Sequence, residues 1–547
     1  MDHGFSSPTE RSAQIHPAQV GSERELATLA ALLGAATIPN VSQKEYALLA
    51  SGMEIPGQVV TETSDRIRTG DDPLGDAFCT LRSASVRRSE GAIYTPPLIV
   101  ERMLSWAEAT GTPDVVVDPG TGSGRYLIEA GRRFPRARLI GIEEDAIAAL
   151  TARANLAVCG FADRSEVRVE DFRETRMSHP RGRTLFIGNP PYVRHHEISP
   201  NWKTWLKAEA AQIGVTASAL AGLHIHFFLA IARLGRPGDF GALITSAEWL
   251  DVNYGRLARN LFLKELGGKS VYIVEPDAEP FPGTATTGAI ATFEFGSKPS
   301  TVRFARGAGV PAGPDLDGGK QVSRKALERE TKWSCFTRPK RDVPTDFIEL
   351  GDLFSVHRGQ ATGANRVWIA GNHSEGLPQE VLFPTVTKAR ELFQNGPILT
   401  EAEKLREVID IPRDLSVLSP ASRNAVDTFL KRAEIMGARS SYIAQHREPW
   451  WSVRLRSPAP ILATYMARRP PAFVLNEASV RHLNIAHGLY PREPVEAPIL
   501  SALVKWLRES SSVEGGRVYA GGLTKFEPRE MERIRIPGPS VLVESTS

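Results

Sequence analysis

Val115-Val116-Val117-Asp118-Pro119-Gly120-Thr121-Gly122-Ser123-Gly124 is the stretch on which the reading of this chain turns. Three β-branched residues in a row predict a buried strand. The glycines behind them predict a sharp turn into a helix over Arg125–Phe134. Working outward, short apolar runs recur at Leu139–Ile142, Val167–Val169, Leu185–Ile187 and Ala242–Thr245, with helical patterns at Leu98–Ala109, Ala146–Val158 and His224–Leu234. This alternation predicts an α/β fold, a doubly wound parallel sheet with helices on both faces. Val271–Val274 and Gly288–Phe295 lie close in sequence and predict an antiparallel edge.

The chain has 547 residues, too many for one core. Residues 1–88 carry weak helical patterning, as in Glu23 to Leu33, and the charged stretch Asp65 to Asp72 reads as a connection. Residues 89–298 hold the strand–helix rhythm. The Gly/Pro-rich residues 299–345 read as a linker, and residues 346–540 form a separate domain with short strands, many prolines and no βαβ rhythm. At 41% hydrophobic and 24% charged residues the composition is that of a soluble globular protein. No run of 18 apolar residues and no signal-peptide pattern occurs, so the expectation is a cytoplasmic protein without a membrane partner. Cys79, Cys159 and Cys335 are too scattered for a disulfide framework or a metal site, and no metal is expected.

The net charge of +3 permits nucleic-acid binding but does not require it. Between Lys431 and Arg469 eight Lys/Arg face two acids, with Trp450 and Trp451 among them. Arg447, Trp450, Arg454 and Arg456 are therefore candidates to grip phosphates and stack on bases. A solvated basic face around buried tryptophans is the competing reading.

The glycines of the first loop let the backbone approach a ligand closely, in front of a helix N-terminus. A dinucleotide would suit such a loop, as would a purely structural turn. Asp118, however, would repel a pyrophosphate and would suit the ammonium and sulfonium of S-adenosylmethionine. Glu143, at the end of the next strand, can take ribose hydroxyls in either cofactor class, or can simply favour a helix start. Asp171 can accept from an adenine amino group while Phe172 packs on the ring.

Thr184-Leu185-Phe186-Ile187-Gly188 leads into Asn189-Pro190-Pro191-Tyr192. An amino group conjugated to a ring is a poor nucleophile. The Asn189 side-chain oxygen and the Pro190 carbonyl can draw its hydrogens out of plane and stabilise charge developing on nitrogen. Prolines stiffen the turn, and Tyr192 offers a face for stacking. His195 and His196 read as loop residues, His224 and His226 as satisfied core histidines.

These motifs together resemble the gamma-class, N6-adenine DNA methyltransferases of bacterial restriction-modification systems, of the TaqI and Eco57I type. The pieces stand in that family's order: Gly91 to Pro96, Asp118 to Gly124, Glu143, Asp171-Phe172, Asn189 to Tyr192 and Phe281-Pro282, then Leu350 to Gly359 and Gly521 to Arg529. The resemblance implies a Rossmann-like methyltransferase sheet at 89–298, a helical N-terminal extension at 1–88, and a C-terminal mixed α+β target-recognition domain at 346–540. It implies that Thr95, Pro96, Asp118, Gly120, Gly122, Glu143, Asp171 and Phe172 hold S-adenosylmethionine. It also implies that Tyr192 and Phe281 flank a flipped adenine, and that Lys525 joins the DNA-binding residues. Double-stranded DNA is the implied partner, alongside a separate cognate restriction endonuclease.

Methyltransferases of protein glutamine or of RNA bases use similar corners, but the large C-terminal domain favours DNA. A catalytically idle DNA-binding module is disfavoured by the intact Asn189–Tyr192. A fused nuclease is disfavoured because residues 1–88 carry no Pro-Asp…Glu-x-Lys pattern.

Overall fold

A computed structural model of the chain describes residues 20–49, 53–82, 95–177, 182–274, 287–307, 314–337, 346–511, 517–519 and 523–544. Phe281 and Pro282, together with Gly91–Tyr94 and Gly521–Gly522, lie outside these residues. The chain divides into two compact units at 339/340.

In the first unit the strands are β1 (Val115–Pro119), β2 (Arg138–Glu143), β3 (Ser165–Val169), β4 (Thr184–Gly188), β5 (Phe240–Ser246), β6 (Gly268–Val274), β7 (Gly288–Glu294), β8 (Thr301–Gly307) and β9 (Lys320–Ser323). They form one sheet in the order β3-β2-β1-β4-β5-β7-β6-β8-β9. β3 through β5 are parallel, and β7 runs antiparallel to both β5 and β6, the edge pairing the sequence predicts.

Every residue of β1 and β4 is buried, as a parallel sheet covered on both faces requires. Their side chains alternate between two cores. Val116, Leu185 and Ile187 pack with residues from helices Pro97–Thr110 and Arg125–Arg133. Val115, Val117 and Phe186 pack with residues from Pro200–Gln212, Leu223–Leu234 and Arg256–Lys264. Burying each such side chain contributes roughly 1.5–3 kcal/mol.

The N-terminal helices are not a free-standing extension. Glu23–Leu32, Gln43–Leu49, Gly57–Thr69 and Pro73–Leu81 pack on helix Ala146–Val158. There Leu26, Leu29, Leu74 and Phe78 share a core with Ile147, Leu150 and Ala154. A fully buried ion pair, Arg153–Glu45 at 2.6 Å, ties the layers together. The Arg153 guanidinium also donates to the carbonyls of Ile38, Pro39, Asn40 and Val167. Removing one partner of such a pair costs about 3–5 kcal/mol. The stretch Asp65 to Asp72 is likewise no connection. It is the end of one helix and the N-cap of the next, where the Asp72 carboxylate accepts from Gly75 N and Pro73 opens the helix.

The linker expected over 299–345 is also corrected. Its described part holds β8, β9 and helix Arg324–Arg329, with β8 parallel to β6 and β9 closing the edge. Val302 and Phe304 point into the core at a two-residue period, a signal that the surrounding Gly and Pro conceal.

The second unit is mixed α+β. Its five-stranded sheet contains Phe354–Arg358, Ala486–Pro491, Ile461–Thr464, Phe473–Asn476 and Ile398–Leu399 in that order. Helix Ala497–Ser510 contributes Leu503 and Leu507 to the core on this sheet, and helix Pro420–Ile435 contributes Val426 and Phe429 to another.

Candidate active site

Sheet order determines where the crevice opens. The chain runs from β1 outward to β2 and β3, then returns to the other side of β1 with β4 and β5. The order reverses between β1 and β4, and open α/β sheets bind ligands beyond the carboxyl ends of such strands. A cavity of about 570 Å³ lies there. Its wall takes Gly120–Ser123 after β1, Glu143 and Glu144 at the end of β2, Glu170–Arg173 after β3, and Asn189, Pro191 and Val193 after β4.

The glycine loop is held in a conformation that residues with a Cβ seldom adopt. Gly120, Gly122 and Gly124 have φ of 77°, 53° and 87°. Gly120 N and Thr121 N donate to Ile142 O at 2.8 and 3.0 Å. The Glu143 carboxylate accepts from Gly122 N at 2.8 Å and from Asp145 N at 3.0 Å. Burial pushes the Glu143 carboxyl up to about 7.

Asp118 is placed differently from the expectation. It is only 1% exposed and sits behind the loop, off the cavity wall. The Thr121 hydroxyl donates to its Oδ2 at 3.0 Å, Oδ1 has no hydrogen-bond partner among the described residues, and burial pushes the carboxyl up to about 8. Burial therefore favours the protonated form of this side chain. The reason is local: Asp118 still belongs to β1, whereas the residues that reach the cavity follow the strand's end.

Asp171 is on the wall, but its carboxylate is clamped by Arg173, at 2.8 Å from Nε and 2.5 Å from Nη2. The guanidinium lies 3.7 Å over the Trp202 ring. Neither Arg173 nor Trp202 was expected here, and the Trp202/Trp205 pair was the available signal. Phe172 is buried and stacks on Phe227, with both rings on the wall. Thr95 is buried on the wall and accepts from Tyr126 Oη at 3.3 Å, while Pro96 caps helix Pro97–Thr110.

Charge decides which cofactor fits. Each arginine on the wall is tied to a carboxylate: Arg82 to Asp145 at 2.6 Å, Arg125 to Asp72 at 2.7 Å, and Arg173 to Asp171. Glu143, Glu144 and Glu170 remain as acids around the crevice. Such a wall repels a pyrophosphate and attracts an ammonium or a sulfonium. Carboxylates at the ends of β2 and β3 suit ribose hydroxyls and an adenine amino group.

At the corner, Asn189 and Pro191 face the cavity and Pro190 is buried beneath them. Tyr192 stands beside them, off the wall. Burial, with the Tyr126 phenol adding, raises its hydroxyl well above the usual range. His195 and His196 lie in the following loop with their rings edge to face at 5.5 Å. His224 and His226 are buried as expected, but the ring nitrogens of His226 have no hydrogen-bond partner among the described residues. Burial lowers these two to about 4 and about 3, so both are neutral.

The expected DNA-binding residues of the second unit divide. Arg454 and Arg456 are exposed. Arg447 is half-buried and donates to Ala361 O at 2.8 Å. Trp450 is partly buried and packs on Trp368 and Trp451 against the core, an arrangement that favours the packing reading. Lys525 is 16% exposed and paired with Glu527, which removes it from the free cations. Tyr442, 75% exposed within the same basic stretch, was not anticipated.

The Eco57I restriction-modification methylase family matches over residues 140–278, and the C-terminal domain of Type II methyltransferase M.Eco57I matches over 341–546. Type II methyltransferase M.XamI of Xanthomonas campestris pv. amaranthicola is 53% identical over 452 residues, covering 82% of this chain and 85% of that protein. The tRNA1(Val) (adenine(37)-N6)-methyltransferase of Porphyromonas gingivalis is 36% identical over 103 residues, 18% of this chain and 40% of that one. The solved DrdV–DNA complex aligns at TM-score 0.52 and 13% identity, over 87% of this chain and 59% of that chain, a likeness of fold. An acid-lined crevice, in a chain 53% identical to M.XamI over 452 residues, leaves one assignment: the chain belongs to the Eco57I-type methyltransferases of Type II restriction-modification systems, with S-adenosylmethionine as its methyl donor.

Proposed function

We propose that this enzyme methylates N6 of an adenine flipped out of double-stranded DNA, as the modification partner of a separate restriction endonuclease. The observation that carries the reading is Asn189, on the cavity wall shared with the donor loop. When bound, S-adenosylmethionine supplies an electrophilic methyl group. The Asn189 side-chain oxygen and the Pro190 carbonyl accept the two amino hydrogens, turn the nitrogen lone pair out of conjugation, and stabilise the positive charge that builds on it. The amino proton then passes to water. Tyr192, largely buried at its hydroxyl end and beside the cavity wall, would stack its ring on the flipped base. Flipping is needed because N6 of a stacked, paired adenine cannot reach a buried crevice. The tRNA relative, whose name specifies adenine N6, supports the choice of atom.

Sequence reading is assigned to the second unit, where Arg454, Arg456 and Tyr442 are exposed and phosphate contacts would set the register. The test is transfer of labelled methyl to duplex DNA followed by digestion to nucleosides. Label in N6-methyl-2′-deoxyadenosine is expected. Label in a methylated cytosine, or only in RNA or protein, would overturn the reading.

A further inference from the structure

The cofactor crevice has a wall that does not come from the sheet. Phe78 and Arg82, at the end of helix Pro73–Leu81, line it. Arg82 bridges Asp145 at 2.6 Å and Glu23 at 2.8 Å, with its guanidinium 4.6 Å over the Phe78 ring. At the other end of this helix the Asp72 side chain, 10% exposed, gathers donors from three places. Ser123 Oγ, in the glycine loop, reaches Oδ2 at 2.5 Å, and Arg125 Nε reaches it at 2.7 Å. Asn155 Nδ2 reaches Oδ1 at 3.1 Å and also donates to Ser123 O at 2.9 Å. Arg125 is held a second time by Asp76 at 3.2 Å. Gly75 is what admits this arrangement, because a Cβ there would overlap the Asp72 carboxylate.

We propose that the N-terminal helices are one jaw of the cofactor site, and that Asp72 is a positioning residue that sets the donor loop through Ser123 and Arg125. The loop, with three left-handed glycines, would lose much conformational freedom on closing around a ligand. Glu143 holds it at Gly122 from the sheet side, and Asp72 holds it at Ser123 from the helical side. A loop ordered in advance spares the cofactor that cost, so the effect belongs to cofactor affinity rather than to the chemical step. The proposal rests on S-adenosylmethionine as the donor and is independent of which base is methylated.

The experiment is calorimetric titration of the full-length protein with S-adenosylmethionine in the absence of DNA, for the parent and for Asp72→Asn, Ser123→Ala and Asp65→Asn. Asp72→Asn keeps an acceptor at the helix cap but loses the charge. Ser123→Ala leaves the cap untouched, so one folded variant is available whatever the other does. Asp65 is an exposed surface acid paired with Arg68, and serves as the control. The dissociation constant should rise about 10-fold in Asp72→Asn and about 3-fold in Ser123→Ala, and stay unchanged in Asp65→Asn. In turnover the KM for the cofactor should rise while kcat at saturation is kept. Parent-like cofactor affinity in folded Asp72→Asn and Ser123→Ala, or a fall in kcat with KM unchanged, overturns the proposal alone. A parent that binds no S-adenosylmethionine overturns the donor assignment and this proposal with it.

Discussion

The glycine loop after β1 and the Asn-Pro-Pro-Tyr corner after β4 are both tight turns at the ends of adjacent parallel strands, and both border one cavity. They are made stiff in opposite ways. The loop has no rigidity of its own and takes its shape from Ile142, Glu143, Asn155 and Asp72. The corner takes its shape from two prolines, which restrict the backbone directly. Function in the loop is therefore shared among many partners, whereas function in the corner is concentrated on Asn189. Single substitutions should produce graded losses in affinity on one side and a steep loss in turnover on the other.

The largest effect tests the corner. Asn189→Ala should lower kcat about 100-fold, the loss of one oriented acceptor, while the cofactor dissociation constant stays that of the parent. Calorimetry beside single-turnover rates separates the two, and a matching loss of cofactor affinity would break the comparison.

Next comes the loop side. Glu143→Gln should weaken S-adenosylmethionine about 10-fold and leave saturated turnover nearly intact, since an amide accepts less strongly from Gly122 and Asp145. With burial raising Glu143 to about 7, cofactor affinity should also strengthen as pH rises through about 7, because the ionised carboxylate suits a cation. Affinity that stayed flat across this range would remove Glu143 from the binding wall.

Outside both turns, Arg454→Ala and Arg456→Ala should each reduce the salt dependence of DNA binding by about one unit of slope, with cofactor affinity unchanged. A fluorescence anisotropy titration over a range of salt concentrations measures this. Trp450→Ala should instead lower the melting temperature through lost core packing.

The smallest effect is at Asp118. Burial favours its protonated form and the side chain lies off the cavity wall, so Asp118→Asn is close to isosteric and should shift cofactor affinity by less than about threefold. The same group gives a pH signature in stability. A carboxyl raised from 3.8 to about 8 in the fold stabilises fully below 3.8 and loses that contribution as pH rises through about 8. Thermal melts of the parent should therefore decline over this window, and Asp118→Asn should decline less. Identical pH profiles would show that Asp118 is ionised in the fold.

Much of the first unit was legible because strands buried on both faces are written as uninterrupted apolar runs, as in Val115–Val117 and Leu185–Ile187. The site was legible because loop and corner each need unusual backbone, which only glycine and proline runs provide. What escaped depends on tertiary context. β8 hides among Gly and Pro, its two inward side chains too few for periodicity to register. Asp72 was read as part of a charged connection, although Asp-Pro at a helix start was signal enough. Trp450 was ambiguous because a sequence does not tell which side of a fold an aromatic ring faces. Asp118 carried the right chemistry for a cofactor contact, but β1 continues past it to Pro119 and its side chain stays off the cavity wall.

The close approach of β1 and β4 has an evolutionary consequence. A Cβ on Gly188 would overlap Asp118 Oδ1, and one on Gly120 would lie 3.3 Å from Pro191 Cδ. The two turns are thus interlocked at two points, and neither can drift in sequence without the other responding. Substitutions on opposite sides of that seam should be strongly epistatic, with damage from one relieved only by a change in its opposite number. A laboratory effort to retarget the acceptor atom by grafting a new corner should then fail piecemeal. It should succeed when residues 118–124 and 188–192 are exchanged as a single cassette.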